Sequence, residues 1–378
     1  MLALAGARIF DGAHLVDGRA ILIEGKRIKG VVPAADIPSG AAVRKVAGLI
    51  APGFIDTQVN GGGGVLFNAE RTASGIAAIG AAHRRFGTTG YLPTLITDTR
   101  EHMAEAIEAA RAASAAGVPG MLGIHLEGPF INPERKGVHD AKLMRPMEEA
   151  DIALVTSLKP GIVLVTLAPE KVPAFTIARL SAAGVIVSAG HTRAHYDTIA
   201  EARAAGLTGF THLFNAMPPL GGREPGAVGA ALDGDAWVGL IVDLFHVSPV
   251  SLRIAIAAAG WERMMLVSDA MPTVGTDLTG FELDGAWINR HNGRLTRADD
   301  GTIAGSDLDM ATAVRNSVTA LGLPLEAALH MASRAPAEFL GLGGELGRIA
   351  PGYRASLVLL DDDLRVVETW IDGEGAAA

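Results

Sequence analysis

Hydrophobic residues in the middle of the chain recur in short runs, and glycine or polar residues end each run. Short apolar runs bounded by turn residues are typical of strands buried inside a parallel sheet. Alanine-rich segments with helical spacing lie between most of them, for example at residues 74–86, 101–116 and 198–205. The runs predict eight strands, at residues 54–59, 90–96, 122–126, 163–167, 185–188, 209–214, 238–242 and 264–268.

Eight strands that alternate with helices indicate an α/β protein with a (β/α)8 TIM-type barrel. A doubly wound parallel sheet is the structural alternative, and it would concentrate polar site residues at one switch point of the sheet. Here the polar residues follow many different strands. The barrel is therefore favoured, with its site at the C-terminal ends of the strands.

Both ends of the chain show a different pattern, in which short apolar segments alternate with Asp-Gly and Glu-Gly turns. Such segments lie near residues 7–12 and 20–28, and again near residues 355–361 and 366–373. Turns of this type are typical of antiparallel strands. We therefore predict a small β-sandwich domain formed by residues 1–50 and 346–378, and a barrel domain formed by residues 51–345.

Composition limits the classes of function. The 378 residues carry a net charge of −9, which argues against general binding to nucleic acid or to an anionic membrane. No cysteine is present, so disulfides, thiolate nucleophiles and cysteine zinc sites are excluded, and a cytoplasmic location is expected. The first apolar run is interrupted by Arg8 and Asp11, unlike a signal peptide, and no apolar run is long enough to span a bilayer.

Four of the predicted strands end near a residue that can bind a metal or transfer a proton: Glu127, His191, His212 and Asp269. One glutamate with two histidines is a common catalytic zinc set that leaves room for water. We interpret Glu127, His191 and His212 as ligands of one divalent metal, with zinc preferred. Asp269 follows the last strand and is the candidate general base, which would later act as the acid.

Several ordered motifs accompany these residues and resemble those of the N-acetylglucosamine-6-phosphate deacetylase family of the amidohydrolase superfamily. The resemblance covers nearly the whole chain, and the order and spacing of the motifs make it specific. The motifs include PGFID at 52–56, HLEGP at 125–129, KGVH at 136–139, SAGH at 188–191, THLFNAMP at 211–218 and GREPG at 222–226.

The resemblance implies hydrolysis of the N-acetyl group of a 6-phosphorylated amino sugar by a homodimer. It implies that His139 binds and polarises the substrate carbonyl. It also implies that Asn215, Ala216, Arg223 and His246 bind the phosphate, in some members partly from the neighbouring subunit. An arginine suits this role because its guanidinium binds phosphate through two parallel hydrogen bonds.

Many members of the superfamily carry His-x-His after the first strand and bind a second metal there. Gln58 and Asn60 occupy these positions here. Amides are poor zinc ligands beside imidazole, so we expect one metal per chain and assign Gln58 and Asn60 to substrate or water binding.

Three alternatives to this assignment stay open. The first is an N-acetylgalactosamine 6-phosphate deacetylase, because Leu244, Phe245 and the acidic segment 305–310 depart from the family pattern at positions that affect sugar specificity. The second is another amidohydrolase, such as a cyclic-amide hydrolase. The third and most remote is a scaffold protein without activity, although such proteins typically lose the ligand residues that this chain keeps.

Overall fold

The computed structural model describes residues 1–378. Three 3-10 helices lie at Ala34–Asp36, Pro133–Arg135 and Ala141–Leu143. The strands, in chain order, are β1 (Leu2–Ala5), β2 (Arg8–Phe10), β3 (Leu15–Val16), β4 (Arg19–Glu24), β5 (Arg27–Pro33), β6 (Ala42–Lys45), β7 (Leu49–Pro52), β8 (Phe54–Val59), β9 (Gly61–Gly62), β10 (Val65–Leu66), β11 (Thr88–Ile96), β12 (Gly123–Glu127), β13 (Ile162–Leu167), β14 (Ile186–Ala189), β15 (Leu207–Phe210), β16 (Trp237–Leu240), β17 (Met264–Leu266), β18 (Gly280–Leu283), β19 (Ala286–His291), β20 (Arg294–Arg297), β21 (Leu357–Leu360), β22 (Val366–Ile371) and β23 (Glu374–Ala377). The α-helices are α1 (Ala73–Arg84), α2 (Arg100–Ala115), α3 (Glu149–Val155), α4 (Ala174–Ala182), α5 (Tyr196–Ala204), α6 (Gly226–Leu232), α7 (Pro249–Ala259), α8 (Met310–Thr319), α9 (Leu325–Ala332) and α10 (Arg334–Phe339).

The central sheet consists of eight parallel strands in the order β8, β11, β12, β13, β14, β15, β16 and β17. Its two edges meet through a parallel bridge between Val59 and Ala270. Backbone hydrogen bonds from Asn60 N to Ala270 O (2.9 Å) and from Asp269 N to Gln58 O (3.0 Å) complete the closure. The predicted TIM-type barrel is confirmed, because a doubly wound sheet would leave two open edges.

The helices around the barrel begin at side-chain caps and bury one apolar face. Thr72 accepts a hydrogen bond from Gly75 N at the start of α1, and Thr99 caps α2 in the same way. Helix α2 buries Met103, Ala106, Ile107, Ala110 and Ala113, a spacing of three and four residues. Small alanines on this face let the helix lie close to the strands, which explains the alanine-rich segments of the sequence.

Strands from the two ends of the chain form one mixed sheet, in the order β23, β22, β21, β7, β2 and β3. Strand β21 pairs with β7 from Leu357 opposite Pro52 to Leu360 opposite Leu49. A second sheet has the order β5, β4, β1 and β6, and the two sheets share a core that includes Leu4, Ile21 and Trp370. The predicted pairing of the termini is present, while the exact domain boundaries stay a prediction.

A three-stranded antiparallel sheet, β18–β20, follows the last barrel strand and was not predicted from the sequence. Phe281, Ile288 and Leu295 from this sheet pack with Ile96 and Met271 at the C-terminal end of the barrel. The sheet therefore covers part of the end of the barrel at which the predicted site residues lie. No helix of the chain is both long and apolar enough to cross a bilayer.

A buried aspartate connects two of the outer helices. The Asp151 side chain in α3 is fully buried and accepts hydrogen bonds from Arg100 Nε (2.8 Å) at the start of α2 and from Arg145 Nη1 (2.6 Å). Burial alone would raise the pKa of Asp151, but the two guanidinium groups outweigh it and lower that pKa to about 2. The charged carboxylate therefore stabilises the folded state.

Replacing Asp151 with Asn should lower the free energy of unfolding by about 2 kcal/mol at pH 7, because two partly exposed guanidinium groups lose a fully buried charged partner. A carboxyl whose folded pKa is depressed stabilises the protein above its unfolded pKa of about 4. The difference between wild type and D151N should therefore disappear as the pH falls from about 5 to 2. Urea denaturation across this pH range measures it. Glu149→Gln, which breaks an exposed pair with Arg179, is the control and should have little effect. An equal loss in both variants, or a difference independent of pH, would contradict the assignment.

Candidate functional site

All the predicted site residues except Gln58 and Arg223 line one cavity of about 290 Å³ at the C-terminal end of the barrel. Glu127 is the last residue of β12, His191 and His212 follow β14 and β15 by two residues, and Asp269 follows β17 by three. The structure thus brings together residues that the sequence separates by more than a hundred positions. The cavity is lined by Asn60, Ile96, Glu127, Gly137, Val138, His139, His191, His212, Asn215, Ala216, His246, Asp269, Met271, Thr302, Ile303 and Gly305.

Glu127, His191 and His212, hereafter the ligand triad, are almost fully buried, with side-chain exposures of 2%, 7% and 4%. Glu127 Oε1 lies 3.2 Å from His191 Nε2 and 2.9 Å from His212 Nε2, and the two Nε2 atoms are 3.1 Å apart. A tetrahedral ion with bonds of about 2.0–2.1 Å keeps its ligand atoms roughly 3.3 Å apart. The three separations therefore fit one small divalent cation.

The hydrogen bond on the far side of His191 supports this interpretation. His191 Nδ1 lies 2.7 Å from the carbonyl oxygen of Arg135, which can only accept, so Nδ1 carries a proton. In the neutral ring Nε2 is then unprotonated, and its lone pair faces the carboxylate of Glu127. Two lone pairs at this distance repel each other unless a cation lies between them. In addition, metal-binding histidines commonly donate a hydrogen bond from the other ring nitrogen to a backbone carbonyl, as His191 Nδ1 does here.

His139 belongs to the same group of side chains but has the opposite tautomer. The ligand atoms of Glu127, His139 and His191 all lie within 4.8 Å of one another, so proximity alone would also allow His139 as a ligand. However, Thr97 N donates to His139 Nδ1 (3.3 Å), and Thr97 Oγ1 is 2.8 Å from the same atom. Nδ1 therefore accepts, and the neutral ring carries its proton on Nε2. His139 is thus arranged as a hydrogen-bond donor, and His212 fits the third ligand position better.

Gln58 and Asn60 bind the carboxylates of the site. Gln58 Nε2 donates to Glu127 Oε2 (3.0 Å) and to Asp269 Oδ1 (3.2 Å), and Asn60 Nδ2 donates to Asp269 Oδ1 (2.6 Å). Their amide N–H groups thus point at the two carboxylates of the site. Asn60 lines the cavity and Gln58 lies behind it, so the substrate-binding role predicted for both stays a prediction.

The charges of the site are strongly coupled. Burial, followed by the charge of Glu127, raises the pKa of Asp269 to about 6. Burial alone would also raise the pKa of Glu127, but the two histidines of the ligand triad hold that pKa well below its usual range. Burial, followed by the charge of His191, lowers the pKa of His139 well below its usual range. Near neutral pH, Glu127 is therefore charged, His139 is neutral, and Asp269 lies close to the point at which it exchanges a proton.

The backbone at the site adopts conformations that most residues avoid. His191, His212 and Asp269 have φ angles of 47°, 33° and 53°. This left-handed region is sterically unfavourable for residues with a Cβ, and each such residue costs on the order of 1 kcal/mol or more. The abrupt turn at the end of each strand explains why β15 ends at Phe210, four residues before the predicted end.

A second group of predicted residues, Asn215, Ala216 and His246, hereafter the phosphate end, lines the same cavity. Ala216 has φ 52°, and its N–H makes no hydrogen bond within the protein. His246 Nδ1 lies 2.6 Å from Asp243 Oδ2, which fixes the ring. Arg223 is exposed, does not line the cavity and forms no ion pair within the chain. Its predicted role therefore stays a prediction.

Several residues that shape the site were missed by sequence reasoning. Thr97 fixes His139, the carbonyl of Arg135 fixes His191, and Asp243 fixes His246. The i,i+3 spacing of Asp243 and His246 was a usable signal. Thr302 and Ile303, which follow β20 and reach the cavity, carried no signal in the sequence because their position depends on the unpredicted β18–β20 sheet.

Comparison with known proteins gives concordant matches along the whole chain. Residues 49–375 match the amidohydrolase family, and residues 1–50 match the NagA composite domain. The N-acetylgalactosamine-6-phosphate deacetylase of Shewanella sp. (strain ANA-3) is 43% identical, covering 99% of this chain and 95% of that protein. The N-acetylglucosamine-6-phosphate deacetylase of Haemophilus influenzae is 32% identical, covering 98% of each.

Solved structures agree with these matches. N-acetylglucosamine-6-phosphate deacetylase from Pasteurella multocida superposes with a TM-score of 0.96 at 33% identity, covering all of both chains. A mutant of N-acetyl-D-glucosamine-6-phosphate deacetylase from Mycobacterium smegmatis, in complex with N-acetyl-D-glucosamine-6-phosphate, superposes with a TM-score of 0.93 at 34% identity. That match covers 100% of this chain and 99% of that chain.

Replacing Glu127 with Gln should weaken zinc binding by about 100-fold or more, because the triad loses the negative charge that both histidines face. Replacing Asp269 with Asn is the matched control: it should abolish turnover and leave the affinity for zinc within a few fold of wild type. Competition with a chelator measures the affinity of each purified variant. Equal loss of zinc binding in the two variants would place Asp269 among the ligands and contradict the assignment.

Proposed function

The chain belongs to the amidohydrolase family, and we propose that it hydrolyses the N-acetyl group of N-acetylglucosamine 6-phosphate to acetate and glucosamine 6-phosphate. One observation carries this proposal: a single cavity holds the ligand triad and Asp269 together with the phosphate end. A substrate bound between the two groups would place its amide at one and its 6-phosphate at the other. The absence of cysteine suits a cytoplasmic location, which we include in the proposal.

We propose that the ligand triad holds one divalent ion, with zinc preferred because two imidazoles and a carboxylate suit it. When bound, such an ion lowers the pKa of a water molecule to about 7 and stabilises negative charge on a carbonyl oxygen. Gln58 and Asn60 keep their amide groups on Asp269, which supports one ion per chain rather than two.

Asp269 would carry the proton during the reaction. Both amide donors, Gln58 and Asn60, bind its Oδ1, and Oδ2 has no such partner. Oδ2 would accept a proton from the attacking water and return it to the amine nitrogen, whose departure requires that proton. A pKa near 6 suits both steps, because the carboxyl group then gains and loses a proton at little cost near neutral pH.

His139 would stabilise the charge that develops on the acetyl oxygen. Thr97 binds its Nδ1 and leaves the Nε2–H to donate toward the substrate carbonyl. Since burial keeps the ring neutral, this donor is present throughout the pH range in which Asp269 works. One such donor commonly contributes about 3 kcal/mol to stabilisation of the transition state.

The phosphate end offers the free N–H of Ala216 and the ring of His246, but neither Lys nor Arg lines the cavity. A phosphate dianion in a protein with net charge −9 needs a cation. Arg223 is exposed and uncommitted within its own chain. We therefore propose a homodimer in which Arg223 of one subunit binds the phosphate in the cavity of the other.

N-acetylgalactosamine 6-phosphate is the second candidate substrate. The 43% identity to an N-acetylgalactosamine-6-phosphate deacetylase favours it. The two sugars differ only in the orientation of the hydroxyl at carbon 4, while the acetyl group and the phosphate, which the cavity would hold at its two ends, are the same. The reaction and its residues are therefore common to both candidates.

Acetate release from both phosphorylated sugars and from unphosphorylated N-acetylglucosamine, with and without chelator, tests the function. We expect metal-dependent release from the phosphorylated sugars and a kcat/KM for unphosphorylated sugar that is lower by about 100-fold or more, since the phosphate contacts are lost. Of the two phosphorylated sugars, we expect N-acetylglucosamine 6-phosphate to give the higher kcat/KM. The reverse order would assign the enzyme to the galactosamine epimer, and no release from any of the three would contradict the proposed function.

Replacing Arg223 with Ala should chiefly raise KM for the phosphorylated sugar, by about 10-fold or more, because a charged hydrogen-bonding partner of the phosphate is removed. Mixed dimers then show whether Arg223 binds the phosphate in the cavity of its own subunit or in that of the partner. If it acts in the partner's cavity, mixing R223A with inactive D269N should restore sites with the KM of wild type. A mixture that keeps the KM of R223A would contradict action between subunits, and an unchanged KM in R223A alone would remove Arg223 from the phosphate site.

A further inference from the structure

Beneath the ligand triad, a chain of hydroxyl groups crosses the interior of the barrel. His125 Nε2 lies 2.8 Å from Thr166 Oγ1, which is 2.6 Å from Thr211 Oγ1, and Thr211 Oγ1 donates to Ser188 Oγ (2.8 Å). All four side chains are buried. Each comes from a different barrel strand or from the residue that follows one, so these hydrogen bonds connect four adjacent strands.

Counting hydrogens fixes the direction of this chain. A hydroxyl group donates once, and Thr211 uses its hydrogen on Ser188. Thr166 must therefore donate to Thr211, and His125 Nε2–H must donate to Thr166. The hydroxyl hydrogen of Ser188 is left over at the end of the chain, and no protein atom accepts it.

A second unpaired polar atom lies at the same place. His212 Nδ1 is buried and has no hydrogen-bond partner in the protein, whereas Nδ1 of His191, the other histidine of the triad, donates to the carbonyl of Arg135. His212, Ser188, Thr211 and His125 all line a cavity of about 10 Å³ inside the barrel. That volume corresponds to about one water molecule.

We propose that this cavity is a binding site for one structural water, which accepts hydrogen bonds from His212 Nδ1–H and from Ser188 Oγ–H. This inference rests on the proposed function, because it concerns how the triad is prepared for a metal ion. The water keeps the proton of His212 on Nδ1 and directs the lone pair of Nε2 toward Glu127. Ser188 is therefore a positioning residue, and the hydroxyl chain holds it in place.

An unpaired N–H in the barrel interior is unfavourable, because it loses its hydrogen bond to water on folding and gains none in the protein. Without an acceptor at Nδ1, His212 would favour the other tautomer, whose Nε2–H donates to Glu127 and cannot bind a cation. Partners at the second nitrogen of a metal-binding histidine typically change metal affinity by about 10- to 100-fold. The water thus does for His212 what the carbonyl of Arg135 does for His191.

Two substitutions test the site in different ways. Ser188→Ala removes the hydroxyl that holds the water. Gly239→Ala leaves every hydroxyl in place and adds a methyl group to the cavity lining, 3.3 Å from His212 N and 3.5 Å from both Phe210 O and Val267 Cγ1, which should reduce the space for the water. Ser317→Ala is the matched control, since this buried serine donates to Ala313 O within α8, far from the barrel interior.

Three measurements are needed. Chelator competition gives the zinc affinity of each variant, thermal unfolding gives its melting temperature, and a high-resolution crystal structure of the zinc-loaded wild type shows the water. We expect density for one water within hydrogen-bonding distance of His212 Nδ1 and Ser188 Oγ. We expect a zinc Kd about 10-fold or more higher in S188A and G239A, with cooperative melting retained, and no change in S317A. Excess zinc should restore turnover in S188A with an unchanged KM, which a general loss of packing would not do.

A cavity without this water, or a zinc Kd of S188A and G239A within twofold of wild type, would overturn the inference. Failure of the proposed function gives a different result. In that case the wild type would release no acetate from amino-sugar phosphates. The crystal structure would still show the water, and S188A would still bind zinc more weakly than the wild type.

Discussion

Closure of the barrel between its first and last strands is the constraint on which the rest of the structure depends. The bridge between Val59 and Ala270, and the hydrogen bond from Asp269 N to Gln58 O, join the two edges of the sheet at the level of the site. The same contact brings the amides of Gln58 and Asn60 onto the carboxylate of Asp269. The same contacts therefore close the barrel and orient Asp269, the predicted base. A shift in strand register would disrupt both.

The site concentrates features that are costly elsewhere in a protein. Glu127 is buried as a charge, four site residues have left-handed backbone, and His212 Nδ1 has no partner in the protein. Each feature is unfavourable alone, but together they direct two imidazoles and one carboxylate toward a single point. A bound cation would offset much of this cost, because it neutralises Glu127 and occupies the lone pairs of both histidines.

The sequence predicted the barrel well because parallel strands buried on both faces leave continuous apolar runs, as in residues 162–167. It also indicated that the members of the ligand triad would lie close together, because each lies at or near the end of one of these runs. It did not reveal the β18–β20 sheet, whose strands alternate between exposed and buried positions after the barrel is complete. Nor could it assign His139 a tautomer, since the decisive hydrogen bond comes from Thr97, 42 residues earlier.

Three buried histidines have different predicted roles, since His191 and His212 would bind the metal and His139 would donate a hydrogen bond. A crystal structure of the zinc-loaded protein, with anomalous diffraction at the zinc edge, tests these roles most directly. The expected result is one zinc ion bound by Glu127, His191 Nε2 and His212 Nε2, with the amides of Gln58 and Asn60 still on Asp269. An ion bound by His139 in place of His212, or a second ion at Gln58 and Asn60, would contradict the account.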